Sequence, residues 1–299
     1  MKRLAQALFA LIVLGYGGAA TYLKVNETNL VFHPDERAVH APAAEFALHQ
    51  RPVRYASSDG TKLFAWIVPA AQADSSGMWM VICHGNYANI GYGQRPQYMA
   101  FMRDLGINLL AFDYRGFGAS DGSPSELGVY DDALASYRYL TDSLHVPADR
   151  ILIFGHSLGS GVAIELATRV PAAALIVEGA YTSVPDRGQE LYPFLPVKWI
   201  ASQRFASIEK IGRITMPKLF LHSPTDVVIP IAHGRALFAA AAEPKRFVEV
   251  QGGHMDAFSI DKHTYYGAIA EIVRSVTPPS VPTAASTVGV PGLATGRQR

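Results

Sequence analysis

The chain is predicted to be an α/β protein with a mostly parallel central sheet of about eight strands flanked by helices. Three observations lead there. Between Met78 and Glu178, short apolar runs alternate with segments of helical periodicity. That is the pattern of parallel strands joined by helices, because a strand covered on both faces is apolar at every position. Ahead of them, Asp59-Gly60 separates the strand-like stretches 53–56 and 63–68, a hairpin signal that starts the sheet antiparallel. Finally, Ile151-Leu152-Ile153-Phe154 ends in Gly155-His156-Ser157-Leu158-Gly159 and passes at once into helical Val162-Ala163-Ile164-Glu165-Leu166-Ala167.

Composition bounds the rest. Of 299 residues, 49% are hydrophobic and 17% charged, enough apolar surface for one large α/β domain or two small ones. The net charge is +1 without a long basic or acidic run, so nothing points to nucleic acid. Cys83 is the only cysteine, which excludes an internal disulfide, and its apolar strand makes it a core filler.

Lys2 and Arg3 precede an apolar run that extends from Leu4 to about Ala20. Its length is near the lower limit for spanning a bilayer, about 17–25 residues. The flanking cations are expected to stay cytoplasmic and place the rest of the chain on the other side. The run lacks a polar region before the small residues Gly18-Ala19-Ala20, and apolar residues resume at Tyr22-Leu23. Residues 1–24 are therefore read as an uncleaved signal anchor; the alternative is a signal peptide cut after Ala20, which would leave a secreted domain. The domain is expected over 25–276. Residues 277–299, rich in Pro, Ser, Thr, Ala and Gly, are expected to be a disordered tail.

Taken in order, residues 26–50 read as a connection over the domain surface, followed by the hairpin strands. The apolar strand 78–83 runs into His84-Gly85-Asn86-Tyr87, a glycine-containing loop at its C-terminal end. A helix over 96–105 and a strand over 109–113 follow. The loop Tyr114-Arg115-Gly116-Phe117-Gly118 has three glycines by Gly122 but neither Gly-Lys-Ser/Thr nor G-x-G-x-x-G, so nucleotide binding is rejected. Asp113 and Arg115 are expected to tie this loop down. Tyr130, Leu134, Tyr137 and Thr141 share one helical face. A buried strand over 174–178 closes the alternation.

The pattern then breaks. Pro185, Pro193 and Pro196 interrupt 183–216, among Tyr192, Phe194, Trp199, Ile200 and Phe205. This stretch is read as a small helical cap inserted after the sixth strand. Phe194 and Trp199 in the cap, with Tyr87 and Tyr181 outside it, are the candidate substrate-binding residues, as walls for an apolar group. Strands at 218–222 and 247–250, separated by a helix over 232–242, and a last helix over 264–275 complete the chain.

Gly155-x-Ser157-x-Gly159 between strand and helix is the context of a nucleophile elbow, a sharp turn that lifts a serine hydroxyl clear of the sheet. Side chains at Gly155 and Gly159 would collide with the adjacent strand and helix. The Leu158 N–H, at the start of a helix, is left free to bind an oxyanion. Asn86 N–H is assigned as the second donor, with Tyr87 the alternative. A base and an acid are then sought past the ends of later strands. Asp226 follows the strand at 218–222, and His254 follows the last strand in Gln251-Gly252-Gly253-His254. Asp256 and Asp261 are rivals to Asp226 but lie too late in the chain. Of the ten histidines, His84 and His156 flank the oxyanion loop and the serine, where they are expected to shape the site. His254 would remove the Ser157 proton and later deliver it to the leaving group, with Asp226 fixing the imidazole tautomer. No His/Asp/Glu set has a convincing ligand spacing, so neither metal nor other cofactor is expected.

These stretches resemble a known family. Asn29-Leu30-Val31-Phe32-His33-Pro34, His84-Gly85-Asn86, Asp113-Tyr114-Arg115-Gly116-Phe117-Gly118, Ser123-Pro124-Ser125-Glu126, the serine motif, Thr225-Asp226 with Ile229-Pro230, and Gly252-Gly253-His254 are similar to those of N-terminally anchored, short-cap α/β-hydrolase-domain proteins. That group includes lysophospholipid lipases, depalmitoylases and hydrolases of the serine aminopeptidase S33 type. The resemblance implies the α/β-hydrolase fold and a serine hydrolase acting on carboxylic esters or thioesters. The expected partners are a small-molecule acyl ester and the membrane, with the chain a monomer. Where the family usually reads His-Gly-Asn-Ala-Gly-Asn, this chain has Tyr87-Ala88, so a bulkier residue is expected to narrow the site. A serine peptidase of the same fold is the runner-up, although the cap offers few carboxylates beyond Glu190 and Asp186 to bind a peptide amine. A ligand sensor without turnover is the rival from another class.

Overall fold

The computed structural model describes residues 2–35, 46–71 and 77–278. The tail expected over 277–299 lies, from 279 on, outside the described residues. Eight strands form one sheet: β1 (Arg51–Ala56), β2 (Lys62–Val68), β3 (Trp79–Cys83), β4 (Asn108–Asp113), β5 (Ile151–His156), β6 (Ala174–Glu178), β7 (Lys218–His222) and β8 (Lys245–Glu249). Their spatial order is β1-β2-β4-β3-β5-β6-β7-β8. β1 pairs antiparallel with β2, and β2 antiparallel with β4; every other pairing is parallel. The hairpin therefore supplies the antiparallel edge, as Asp59-Gly60 implied.

Eleven α-helices are described: α1 (Lys2–Val25), α2 (Glu27–Val31), α3 (Arg95–Asp104), α4 (Glu126–Arg138), α5 (Leu158–Arg169), α6 (Val184–Leu191), α7 (Val197–Ile200), α8 (Ser207–Lys210), α9 (Ile231–Ala240), α10 (Ala257–Ile260) and α11 (Lys262–Val276). Successive side chains of a strand point to opposite faces, and the two cores follow that alternation. Val81, Cys83, Ile153 and Val177 face α4 and α5; Met80, Ile82, Leu152 and Ile176 face α3 and α11. At about 25 cal/mol per Å² of apolar surface, burial on both faces makes the central strands the most stabilising part of the sheet.

The chain leaves β3 toward β4 on one side, whereas β5 lies on the other. The strand order thus reverses between β3 and β5, and ligand crevices form at such a point, beyond the carboxyl ends of the strands. Cys83 pairs with Gly155, so the loop after β3 and the turn after β5 emerge side by side.

Residues 26–50 are more than a surface connection. They hold α2, and Phe32 is buried with its ring 6.4 Å from that of Phe117 and 6.0 Å from that of Phe205. His33–Pro34 pairs in parallel with Tyr87–Ala88. A five-residue helix is too short to show a 3.6-residue period, which is why the sequence reads as linker there. In α1, 24 residues long, no residue is buried, and the helix is long and apolar enough to cross a membrane.

Candidate active site

Ser157 occupies the turn between β5 and α5 with φ 54° and ψ −123°, a conformation unfavourable for a residue with a Cβ. Its surroundings hold it there. Its N–H donates to the Glu178 carbonyl at 3.0 Å, and α5 starts at the next residue. A Cβ on Gly159 would lie 2.0 Å from the Cys83 carbonyl oxygen, and one on Gly155 would lie 2.3 Å from that of Gly159. Only glycine lets strand and helix approach this closely.

The structure brings Ser157, His254 and Asp226 together from three strand ends. Ser157 Oγ lies 2.8 Å from His254 Nε2, and His254 Nδ1 lies 2.6 Å from Asp226 Oδ2. The other carboxylate oxygen of Asp226 accepts from the Val228 and Ile229 N–H groups at 2.9 and 2.8 Å. Burial raises the Asp226 carboxyl, but the hydrogen bond and charge of His254 with the Ile229 N–H outweigh it and hold the group below the ordinary carboxylate range. The rival acids have other partners. Asp256 Oδ1 accepts from Gly253 N–H at 2.6 Å and so shapes the turn that carries His254, while Asp261 caps α11.

Both histidines beside the site are held neutral by burial, which places His84 well below the usual histidine range and pushes His156 down to about 3. Asp113 Oδ1 accepts from Ile90 N–H at 2.7 Å, and the Arg115 guanidinium reaches Asp132 and Asp59, each at 2.8 Å, which anchors the glycine loop.

Leu158 N–H and Asn86 N–H have no partner among the described residues, and both residues line a cavity of ≈ 270 Å³ with Ser157. Asn86 is clamped from the far side: its side-chain amide donates to Val31 O at 3.0 Å and its carbonyl accepts from His33 N–H at 2.8 Å. Tyr181 is buried and lines this cavity. Tyr87 does not line it; half-exposed, it packs edge-on against Tyr92 at 5.1 Å and borders a second cavity, of ≈ 350 Å³, on the other side of the loop. Phe194 and Trp199, 88% and 91% exposed, lie outside both cavities. The cap contributes Val184, Val197 and Ile200 instead. A short cap exposes one side of each helix, and periodicity over so few residues does not tell which.

The N-terminal segment supplies a wall that sequence reasoning missed. Leu23, Lys24, Glu27, Leu30 and Val31 all border the cavity beside Ser157. Glu27 Oε1 accepts from the N–H groups of Ser202 and Gln203 at 2.5 and 2.6 Å and so ties α2 to the cap. The signal was present in Asn29-Leu30-Val31-Phe32-His33-Pro34, but a motif outside a periodic element carries no direction. Among the described residues no group of three or more His, Cys, Asp or Glu could hold a metal ion.

A neutral imidazole between a hydroxyl and a carboxylate can accept the hydroxyl's proton, and two free N–H groups beside it can stabilise a developing oxyanion. The chain resembles known proteins in sequence and in fold. The family model described as serine aminopeptidase, S33, matches residues 75–209. The Mycobacterium tuberculosis protein MT2364 is 34% identical over 267 residues, covering 89% of this chain and 93% of its own. The lysophosphatidylserine lipase ABHD12 of Danio rerio is 36% identical over 180 residues, 54% of this chain and 47% of that protein. Among solved structures, the Pyrococcus furiosus esterase Pf2001 superposes with a TM-score of 0.68 at 17% identity, covering 83% of this chain and 99% of the esterase, a likeness of fold. With its strand order, its elbow and a relative matched along nearly the whole chain, the protein belongs to the α/β-hydrolase superfamily.

Proposed function

We propose that this hydrolase is a membrane-anchored serine hydrolase that cleaves carboxylic esters or thioesters of acyl substrates through an acyl-Ser157 intermediate. The observation that carries the reading is the continuous chain Ser157 Oγ–His254 Nε2 at 2.8 Å and His254 Nδ1–Asp226 Oδ2 at 2.6 Å, at a cavity bordered by two free N–H donors. The esterase and lysophosphatidylserine lipase among the similar proteins support an ester substrate.

In this mechanism Ser157 Oγ attacks the acyl carbonyl carbon while His254 Nε2 takes the hydroxyl proton. Asp226 accepts from His254 Nδ1–H, which keeps Nε2 bare before attack and stabilises the imidazolium afterwards. Leu158 and Asn86 N–H groups donate to the oxyanion, each worth about 3–4 kcal/mol in the transition state. As the tetrahedral adduct collapses, the bond to the leaving oxygen or sulfur breaks and His254 returns the proton to it. A water then attacks the acyl-enzyme with His254 as base, and release of the acid restores Ser157.

Labelling with a fluorophosphonate probe tests the reading. Wild type is expected to label rapidly, and Ser157→Ala and His254→Ala to lose labelling. An unlabelled wild type would favour a ligand sensor. Parallel rates on matched acyl ester, thioester and amide substrates then separate esterase from peptidase, with the ester and thioester expected to be the faster substrates.

A further inference from the structure

We propose that the exposed apolar face of the cap is a membrane-contacting surface that seats the cavity mouth on the lipid bilayer, so that the acyl substrate enters from the membrane. The proposal deepens the anchored-hydrolase reading and rests on α1 being in the membrane. Around the turn between α6 and α7, Phe194 and Trp199 expose 88% and 91% of their surface, and Leu191 and Tyr192 expose 57% and 41%. Soluble proteins seldom display adjoining large apolar groups without a partner for them. The turn that presents Phe194 is firmly held, since Gln189 Nε2 donates to the carbonyl oxygens of Tyr192, Pro193 and Leu195 at 3.3, 3.1 and 2.9 Å.

The position of this face identifies its occupant. α7, which carries Trp199, packs against α1. Lys24, at the end of α1, donates to Ser202 Oγ just past α7, and Glu27 accepts from the Ser202 and Gln203 N–H groups. The aromatic face therefore lies beside the point where α1 ends. A helix of 24 residues spans about 36 Å at 1.5 Å per residue, so an end of α1 falls near the polar boundary of a bilayer. Aromatic rings at that level favour the interfacial layer, and lipid also covers α1 itself, none of whose residues is buried by protein. The cavity has one wall from α1, at Leu23 and Lys24, and another from the cap, at Val197 and Ile200. An acyl chain in the bilayer would thus meet the cavity along the anchor.

The test uses the full chain reconstituted in phosphatidylcholine vesicles with brominated acyl chains, which quench tryptophan fluorescence on contact. Trp66 is 3% exposed and Trp79 is partly buried, so Trp199 is the accessible reporter. Quenching by the brominated lipid that disappears in Trp199→Phe is expected. If wild type stays with the vesicles through an alkaline wash but shows no Trp199-dependent quenching, the membrane seat is wrong and the anchor stands. If the wash removes wild type, the anchor reading falls and the seat with it. Protection of Trp199 from acrylamide without lipid quenching would put a protein, such as a second copy of this chain, on the face and overturn the proposal. None of these readouts needs turnover, so they are separable from the fate of the serine-hydrolase reading. For substrate entry, Phe194→Ser/Trp199→Ser is expected to lower the rate on a vesicle-borne long-chain ester, relative to a water-soluble short ester, about tenfold. An unaltered ratio would overturn entry from the membrane.

Discussion

His156 donates its Nε2–H to the carbonyl oxygen of His254, 2.9 Å away. A carbonyl only accepts, and burial with the nearby His254 keeps the His156 imidazole neutral, its pKa pushed down to about 3. The tautomer is therefore set, and the residue before Ser157 fastens the backbone of the proposed base. His156 is a positioning residue. His156→Ala is expected to lower kcat about 10–100-fold with little change in KM, because a base displaced by a fraction of an ångström transfers its proton poorly. His156→Gln, which can still donate from its amide, is expected to recover most of the loss. Steady-state kinetics on one short-chain ester checks both.

Asp226→Asn probes the tautomer. A carboxamide N–H facing His254 Nδ1, now 2.6 Å from a carboxylate oxygen, would turn Nδ1 into the acceptor and put the proton on Nε2, toward Ser157. The base could then no longer take the hydroxyl proton. A fall in kcat of about 10²–10⁴ is expected, along with slow fluorophosphonate labelling. Wild-type rates in this variant would remove Asp226 from the mechanism.

Two glycines should respond to alanine with opposite signs. Gly159→Ala places a Cβ 2.0 Å from the Cys83 carbonyl, and backbone must move to admit it. A loss of at least about 3 kcal/mol is expected in chemical denaturation. Gly267 lies on the exposed side of α11, where a Cβ meets nothing within 4 Å. Gly267→Ala is expected to stabilise by about 0.5–1 kcal/mol through helix propensity and a less flexible unfolded chain.

Glu178 gives the stability a pH dependence. Burial raises its carboxyl from 4.5 to about 8; the Tyr265 hydroxyl, donating at 2.6 Å, opposes the rise, and the Asp226 charge adds to it. Between those values the unfolded chain has released this proton and the folded chain has kept it. The folded state then binds more protons, so stability falls as pH rises through this window and levels off above it. Glu178→Gln preserves an acceptor for Tyr265 and has no proton to lose. Its melting temperature is expected to approach that of wild type near pH 4.5 and to exceed it above pH 8, where its stability in chemical denaturation is expected to be greater by about 5 kcal/mol. Equal melting temperatures across the range would show that Glu178 titrates normally.

Much of this protein is legible in its residues. The apolar runs at β3 through β7 announce buried parallel strands because helices cover both faces, and Asp59-Gly60 announces the antiparallel edge. Gly155 and Gly159 mark a close approach of strand and helix that only a tight turn requires. Asp226 and His254 could be chosen because each follows a strand end, and strand ends in a parallel sheet point to one crevice. Those features are local: a period, a turn chemistry, a spacing.

What the sequence by itself determined, then, is the fold class, the order of the strands along the chain and the identity of the groups at their ends. Only the tertiary structure decided which surfaces those groups share. It brought α2 and the end of α1 to the wall of the Ser157 cavity, buried Phe32 against Phe117 and Phe205, turned Phe194 and Trp199 outward, and sent Tyr87 to the neighbouring cavity. Those outcomes depend on contacts between residues far apart along the chain, such as Glu27 with Ser202, 175 positions away, and Phe32 with Phe205. Local pattern records which residues prefer burial; which partner buries them is set by packing across the whole domain.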